Sequence, residues 1–76
     1  MVKIKIKTEF IKLGQFLKFS GVVSMGSECK DFIENNCIKV NSNTEKQRGK
    51  KLFPGDLIEI NGEKYLIEDE NASKNA

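Results

Sequence analysis

The sequence predicts a small α+β domain, and three patterns in it support that prediction. Apolar residues alternate with lysines over residues 2–6, a period typical of a β-strand. Two later stretches place apolar residues three and four positions apart, which is the spacing of one helix face. Near the end of the chain, Asn61-Gly62 separates two apolar runs, and this dipeptide is the strongest short signal for a β-hairpin.

Length and charge indicate one basic domain. The 76 residues suffice for a single domain, which we assign to residues 1–69, and residues 70–76 are expected to form a disordered tail. Over residues 1–67, 12 lysines and arginines stand against 8 acidic residues, whereas residues 68–76 are net acidic. The folded part is therefore more basic than the overall charge of +2 indicates, which suits a polyanionic partner.

The composition argues against catalysis, a metal site and a membrane location. Without histidine the chain has no ordinary Ser-His or Cys-His pair, and two cysteines are too few for a zinc site. Cys29 is expected in the core and Cys37 half-buried, both as reduced thiols. No stretch reaches the ~18 apolar residues of a membrane helix, and the alternating start is not a secretory signal. We therefore expect a cytoplasmic protein without a cofactor.

The first element is the strand over residues 2–6, whose outer face is a row of lysines. One interpretation of this row is a stripe that follows nucleic-acid phosphates. The other is that the lysines keep an edge strand from pairing with other chains, and we favour this second interpretation.

Two short helices follow the strand. The apolar face of the first comprises Leu13, Phe16 and Leu17, with Phe10 or Ile11 one turn earlier. Gly14 lowers the helix propensity of its first turn by about 1 kcal/mol relative to alanine, and Gly21 suits the left-handed conformation that ends a helix. The apolar face of the second comprises Met25, Cys29, Phe32 and Ile33. We expect Ser24 or Ser27 to cap this helix and Asn35-Asn36 to end it in the left-handed conformation.

The rest of the chain is predicted as strands joined by turns. Residues 38–40 form a strand, residues 41–43 a polar turn, and residues 44–47 an irregular returning strand. Pro54-Gly55 fits the centre of a type II turn. Leu57 to Ile60 and Glu63 to Ile67 then form the two arms of the hairpin.

The hairpin turn also predicts the pairing between its arms. Counting outwards from Asn61-Gly62 places Ile58 opposite Tyr65 and Glu59 opposite Lys64. The first pair then faces the core, while the second is an opposite-charge pair on the other face.

Binding candidates lie on exposed helix faces or in a basic loop. Gly26-Ser27 leaves amides uncovered at the positive end of the second helix, and Lys30 follows one turn later. Gln15 and Lys18 share a face of the first helix. The loop contributes Arg48, Lys50 and Lys51 around a glycine that permits close backbone approach. By pattern alone, an RNA contact and a set of solvated lysines remain equally open.

The order of these elements over residues 12–60 resembles the S-four RNA-binding domain, named after ribosomal small-subunit protein four. The stretches that carry the resemblance are Leu13 to Gly21, Gly26-Ser27-Glu28-Cys29-Lys30, Ile38-Lys39-Val40-Asn41 and Pro54-Gly55-Asp56. It implies that the two helices pack on a small antiparallel sheet, the alpha-L motif, here with an added N-terminal strand. The extra strand and the small size are similar to the free-standing bacterial members, the YaaA type.

The resemblance further implies a function and its residues. In this family the start of the second helix, with the strand and loop that follow, grips structured RNA. Carried over by position, the implied RNA-binding residues are Gln15, Lys18, Gly26, Ser27, Lys30, Asn41, Arg48, Lys50 and Lys51. Gly26 and Ser27 replace basic residues that often begin the second helix, so more of the binding is expected from Lys30 and the Arg48 loop. Ser42 stands where a glycine commonly follows Val-Asn, a milder departure that a polar turn absorbs.

The partner implied by the resemblance is ribosomal or transfer RNA, within the ribosome or another ribonucleoprotein, bound by a monomer with no membrane partner. The alternative is a protein-interaction adaptor in RNA- or ribosome-related assemblies, with an incidental lysine patch. In that case the exposed edge of the strand over residues 2–6 would accept a partner strand. A ubiquitin-like sulfur carrier is disfavoured, because such carriers end in Gly-Gly.

Overall fold

A computed structural model of the protein describes residues 1–70. The strands are β1 (Val2–Ile6), β2 (Ile11–Lys12), β3 (Ile38–Val40), β4 (Asn43–Thr44), β5 (Lys51–Leu52), β6 (Leu57–Ile60) and β7 (Glu63–Asp69). The helices are α1 (Leu13–Phe19) and α2 (Cys29–Asn35), and a 3₁₀ turn over Gly26–Glu28 precedes α2. These elements confirm the predicted α+β class. The predicted tail lies outside the described residues except for Glu70, whose amide donates to the Ile6 carbonyl at 2.9 Å.

The main sheet has five strands in the order β1-β7-β6-β3-β4. Its pairs are antiparallel except β1 and β7, which run parallel from Val2 opposite Tyr65 to Ile6 opposite Asp69. The predicted antiparallel sheet is therefore mixed, and the added N-terminal strand makes it so. β1 lies at the margin of the sheet with Lys3 and Lys5 exposed, which is the position that edge protection requires.

The hairpin of β6 and β7 has the predicted register. Ile58 pairs with Tyr65 and Glu59 with Lys64. Asn61 and Gly62 have φ angles of 49° and 91°, the positive values that a two-residue hairpin turn needs. Because the turn sets the pairing, it also sets which side chains face the helices: Ile58 is fully buried and Tyr65 is half-buried.

The core lies between the two helices and the inner face of the main sheet. Its fully buried side chains include Leu13, Phe16, Leu17, Ile33, Ile38, Leu52, Ile58 and Ile67. Phe16 of α1 meets Tyr65 of β7 edge-on, with ring centroids 5.5 Å apart and planes at 87°. This geometry is favourable for an aromatic pair and attaches α1 to the sheet.

A second, two-stranded sheet was not predicted. β2 pairs with β5, placing Ile11 opposite Leu52 and Lys12 opposite Lys51. The prediction that Phe10 or Ile11 extends the face of the first helix is therefore wrong, because α1 begins only at Leu13. This small sheet joins the chain just before α1 to the chain just after the basic loop.

The start of α2 differs from the prediction. Neither serine caps it, and α2 has no side-chain cap within residues 1–70; Glu28 Oε1 accepts hydrogen bonds from the amides of Ser24 and Met25, ahead of the 3₁₀ turn, at 3.2 and 2.9 Å. Met25, predicted on the apolar face, is 62% exposed. The helix ends at Asn35 as expected, but Asn36 is extended, with φ of −130°, and not left-handed. Its side-chain amide donates to the Phe32 carbonyl and so satisfies the helix end.

The two cysteines are both free thiols, in different surroundings. Cys29 is buried in the core, as predicted, and its thiol donates to the Gly14 carbonyl at 3.4 Å. Cys37 was predicted to be half-buried but is exposed, because it lies in the connection before β3. Its backbone amide is held by the side chain of Asn61 at 3.0 Å.

The turns around β3 and β6 follow the sequence closely. Asn41 and Ser42 have φ angles of 51° and 73°, which explains why glycine would suit position 42. Of the returning strand predicted over residues 44–47, only Thr44 lies in a strand, β4, which begins at Asn43 within the predicted turn; residues 45–47 are outside it. Gly55 has φ of 98°, and the Asp56 amide donates to the Phe53 carbonyl, which confirms the predicted turn.

Candidate nucleic-acid interface

Gly14 joins the first helix, the second helix and the basic loop. Its amide donates to the Arg48 carbonyl at 2.9 Å, and the neighbouring Leu13 amide donates to the Lys50 carbonyl at 2.8 Å. Its own carbonyl accepts from the thiol of Cys29 on α2. The first amides of a helix lack partners within the helix, so the loop carbonyls satisfy two of them. The basic loop is thereby fixed against the start of α1.

Position 14 has no room for a side chain. A Cβ atom there would lie 2.6 Å from Arg48 Cγ and 3.2 Å from Arg48 Cδ. The arginine side chain therefore passes directly over the glycine on its way across α1. This close approach explains why a residue with poor helix propensity stands in the first turn of α1.

The consequence of this packing is a cationic groove between α1, the 3₁₀ turn and the basic loop, which we call the central groove. It is open to solvent, has a volume of about 390 Å³, and is lined by Lys12, Gly14, Gln15, Lys18, Gly26, Cys29, Arg48 and Gly49. Three of these side chains are cationic, and within residues 1–70 no carboxylate lines the groove. Uncompensated positive charge in a concave surface attracts anions such as phosphate groups.

Lys18 and Gly26 face each other across this groove. A Cβ at Gly26 would lie 3.7 Å from Lys18 Nζ, so the ammonium group reaches from the last turn of α1 to the 3₁₀ turn. Gln15 lies on the exposed side of α1, between Lys12 and the pair formed by Lys18 and Gly26. Its Oε1 accepts from the Lys12 amide at 3.1 Å, which leaves the two N–H donors of Gln15 for a ligand.

Asn41, Lys50 and Lys51 line a separate cleft beside β3. Two carboxylates, those of Glu45 and Asp56, also line this cleft and offset its positive charge. The Lys51 ammonium lies over the Phe10 ring, 4.8 Å from its centroid. The side chains that line this cleft therefore carry less net positive charge than those of the central groove.

The side chain of Asn41 is engaged within the protein. Its Nδ2 donates to Asp56 at 3.1 Å and its Oδ1 accepts from the Leu57 amide at 3.0 Å. These bonds join the turn after β3 to the start of β6. Both polar atoms of the Asn41 side chain therefore have a partner within the protein.

Ser27 and Lys30 do not line the central groove. Ser27 lines a cleft that also contains the carboxylates of Glu28 and Asp31. Lys30 is exposed on α2 and lines neither this cleft nor the central groove. The structure thus brings four of the nine expected residues together: Gln15, Lys18, Gly26 and Arg48.

Four residues that line the central groove were not among the sequence candidates: Lys12, Gly14, Cys29 and Gly49. Lys12 was not among the candidates, although Lys12, Gln15 and Lys18 are spaced three apart, which places them along one side of a helix. That spacing was a usable signal. Gly14 was treated as a weak point of the helix, and no local pattern indicates that Arg48 crosses it.

We expect Gly14→Ala to displace the Arg48 side chain from the central groove, because the new methyl group would overlap Arg48 Cγ. If Arg48 contacts one RNA phosphate, affinity at ~0.15 M salt should fall about fivefold. Fluorescence anisotropy with labelled RNA measures the loss. The double variant with Arg48→Ala should lose little more than Arg48→Ala alone, whereas two additive losses would show that Gly14 does not act through Arg48.

Two further observations concern metal binding and membrane insertion. Among residues 1–70, no three histidine, cysteine, aspartate or glutamate side chains come together in a way that could hold a metal ion. Within that range, neither the length nor the hydropathy of any helix suffices for a membrane span.

Comparison with known proteins relates the chain to one family. The family model described as the S4 domain matches residues 4–68, which include all residues that line the central groove. A relative from Bacillus subtilis (strain 168), described as the probable ribosome maturation protein RlbA, is 44% identical over 59 residues. The matched region covers 78% of this chain and 83% of the relative.

Proposed function

Because the chain belongs to the S4 domain family, we propose that it is a non-catalytic module that binds structured RNA through the central groove. The observation that carries this proposal is the convergence of Lys12, Lys18 and Arg48 on a concave surface whose lining side chains, within residues 1–70, include no carboxylate. Such a surface binds phosphates without reading bases directly, so shape selects the RNA.

The residues of this surface have different roles in the proposal. Lys12, Lys18 and Arg48 contact phosphates. Gln15 donates hydrogen bonds to the RNA from its side-chain N–H groups, and Gly26, which has no side chain, lets the RNA approach the backbone closely. Lys50 and Lys51 extend the contact along the rim of the loop, and Ser27 in the 3₁₀ turn and Lys30 on α2 flank it. Asn41 positions the strand and loop without touching RNA.

The RNA class that we propose is ribosomal RNA, with transfer RNA as the second candidate. Support comes from the Bacillus subtilis relative, whose name assigns it to ribosome maturation. A protein that assists ribosome assembly works in the cytoplasm, and we propose that location and a monomeric state for this chain.

Retention of RNA fragments on the immobilised protein tests the proposal. Fragmented ribosomal RNA and transfer RNA are passed over it, and retained fragments are sequenced and then measured by anisotropy at several salt concentrations. Three phosphate contacts predict a slope of about −3 for log affinity against log salt. A slope near zero, or retention equal to that of unstructured RNA of the same length, would contradict the proposal.

The adaptor alternative rests on β1. This strand pairs with β7 on one side and forms the margin of the sheet, so its other edge is open to a partner strand. Its lysines oppose such pairing. Protein partners that remain bound after nuclease treatment of a lysate, together with no retention of RNA, would favour the adaptor over the RNA-binding module.

A further inference from the structure

We propose that an unpaired nucleobase of the bound RNA stacks on Phe19, in a second groove beside the central groove. This inference rests on the proposed RNA-binding function and adds a second recognition element to it. We call the second groove the aromatic groove; its lining includes Phe10, Lys12, Gln15, Lys18 and Phe19, and its volume is about 900 Å³.

Phe19 has an unusual position for a large apolar side chain. It is the last residue of α1 and is 61% exposed, although three earlier residues of the same helix are fully buried. Phe10, by contrast, is half-buried and engaged, with the Phe53 ring 5.7 Å away and the Lys51 ammonium 4.8 Å from its centroid. Within residues 1–70, Phe19 has no such ring or cation contact. Its ring is therefore available to a ligand.

The two grooves are adjacent. Lys12, Gln15 and Lys18 line both of them, so one side of α1, together with the residue just before it, forms their shared wall. Lys18 and Phe19 both line the aromatic groove, so a nucleotide whose phosphate binds Lys18 there can extend its base to the Phe19 ring. Gln15 stands on the shared wall with its N–H donors unoccupied, so it can donate to an acceptor on a base edge.

Charge decides between a nucleobase and an apolar protein segment as the occupant. Two cations, Lys12 and Lys18, line the aromatic groove against one carboxylate, that of Glu9. An apolar peptide would bury the ring but leave these cations without partners, whereas an RNA strand supplies a π-face and phosphates together. Stacking on an aromatic side chain tolerates every base, so the groove selects unpaired nucleotides and not a sequence.

Two hairpin RNAs of equal charge test the proposal. One carries an unpaired adenosine bulge in its stem, and the other carries an abasic ribose at the same position. The wild-type protein should prefer the adenosine hairpin by roughly five- to a hundredfold, the range measured for stacking of one base on an aromatic residue. Phe19→Ala should abolish this preference, and Phe19→Tyr should keep it. Met25→Ala is the matched control, because Met25 is 62% exposed and lines neither groove.

The salt dependence separates stacking from charge. Phe19→Ala should lower affinity for the adenosine hairpin without changing the slope of log affinity against log salt, because stacking releases no counterions. Equal binding of both hairpins by the wild type would overturn the stacking proposal and leave the central groove intact. If the protein binds neither hairpin and also retains no RNA fragment, the proposed function is overturned instead. Since Phe19 is mostly exposed, an unchanged unfolding midpoint confirms that the variant is folded.

Discussion

Replacing Lys12, Lys18 and Arg48 together with glutamine should lower the affinity for structured RNA on the order of a hundredfold at ~0.15 M salt. Each of the three cations is expected to neutralise one phosphate, and each released counterion contributes about fivefold at that ionic strength. Anisotropy over a salt series should also show a weaker dependence of affinity on salt. The slope of log affinity against log salt should become less negative by two to three, because each lost phosphate contact removes about one.

The control for this variant removes the same charge elsewhere. Lys3, Lys5 and Lys7 lie on or next to β1, outside the central groove, and their replacement with glutamine changes net charge equally. If the groove binds the RNA, this control should retain nearly all affinity and most of the salt slope. Equal losses in both variants would mean that RNA responds to net charge alone, which would refute a localised site.

The largest expected effect on stability comes from Phe16→Ala. Phe16 is completely buried and its ring packs edge-on against Tyr65, so its removal should lower the free energy of unfolding by about 3–5 kcal/mol. A domain of this size has little stability to lose, so a large fraction of the variant should be unfolded at 25 °C. Urea unfolding monitored by circular dichroism measures the loss.

Phe19→Ala provides the matched comparison on the same helix. It deletes the same number of atoms from a ring that is mostly exposed, and should change the free energy of unfolding by less than about 0.5 kcal/mol. A Phe16→Ala variant within 1 kcal/mol of the wild type would contradict the packing of α1 on the sheet. The pair of variants thus separates the buried face of α1 from its binding face.

The sequence predicted those parts of the fold that local rules determine. The Asn61-Gly62 turn sets the pairing of β6 with β7, because a two-residue loop leaves one register between its arms. The spacing of Leu13, Phe16 and Leu17 likewise marks the buried face of α1. In both cases the residues that determine the structure lie within a few positions of each other.

Features that depend on contacts between distant segments escaped prediction. The pairing of β2 with β5 involves two residues on each strand, too few to show a period. No side chain among residues 1–70 caps α2; the Glu28 carboxylate instead reaches back to the amides of Ser24 and Met25, ahead of the 3₁₀ turn. The bond from Gly14 to the Arg48 carbonyl spans more than thirty positions and has no local signature.

The same distinction applies to the candidate site. Gln15 and Lys18 could be paired from their spacing on one helix, and the central groove contains both. The convergence of Arg48 with them depends on the approach over Gly14, which a residue pattern does not reveal. The added lysines of β1 are equally basic in the sequence, yet they lie at the sheet margin.

The central claim is that the groove formed by α1, Gly26 and the Arg48 loop is the surface that binds RNA. Titration of isotope-labelled protein with the tightest retained RNA fragment, followed through backbone amide signals, tests it most directly. The account predicts that the signals of residues 12–19, Gly26 and residues 48–49 shift first and furthest, while those of β1 stay in place. Shifts confined to β1 or to the acidic cleft of Glu28 and Asp31, with the groove signals unchanged, would contradict it.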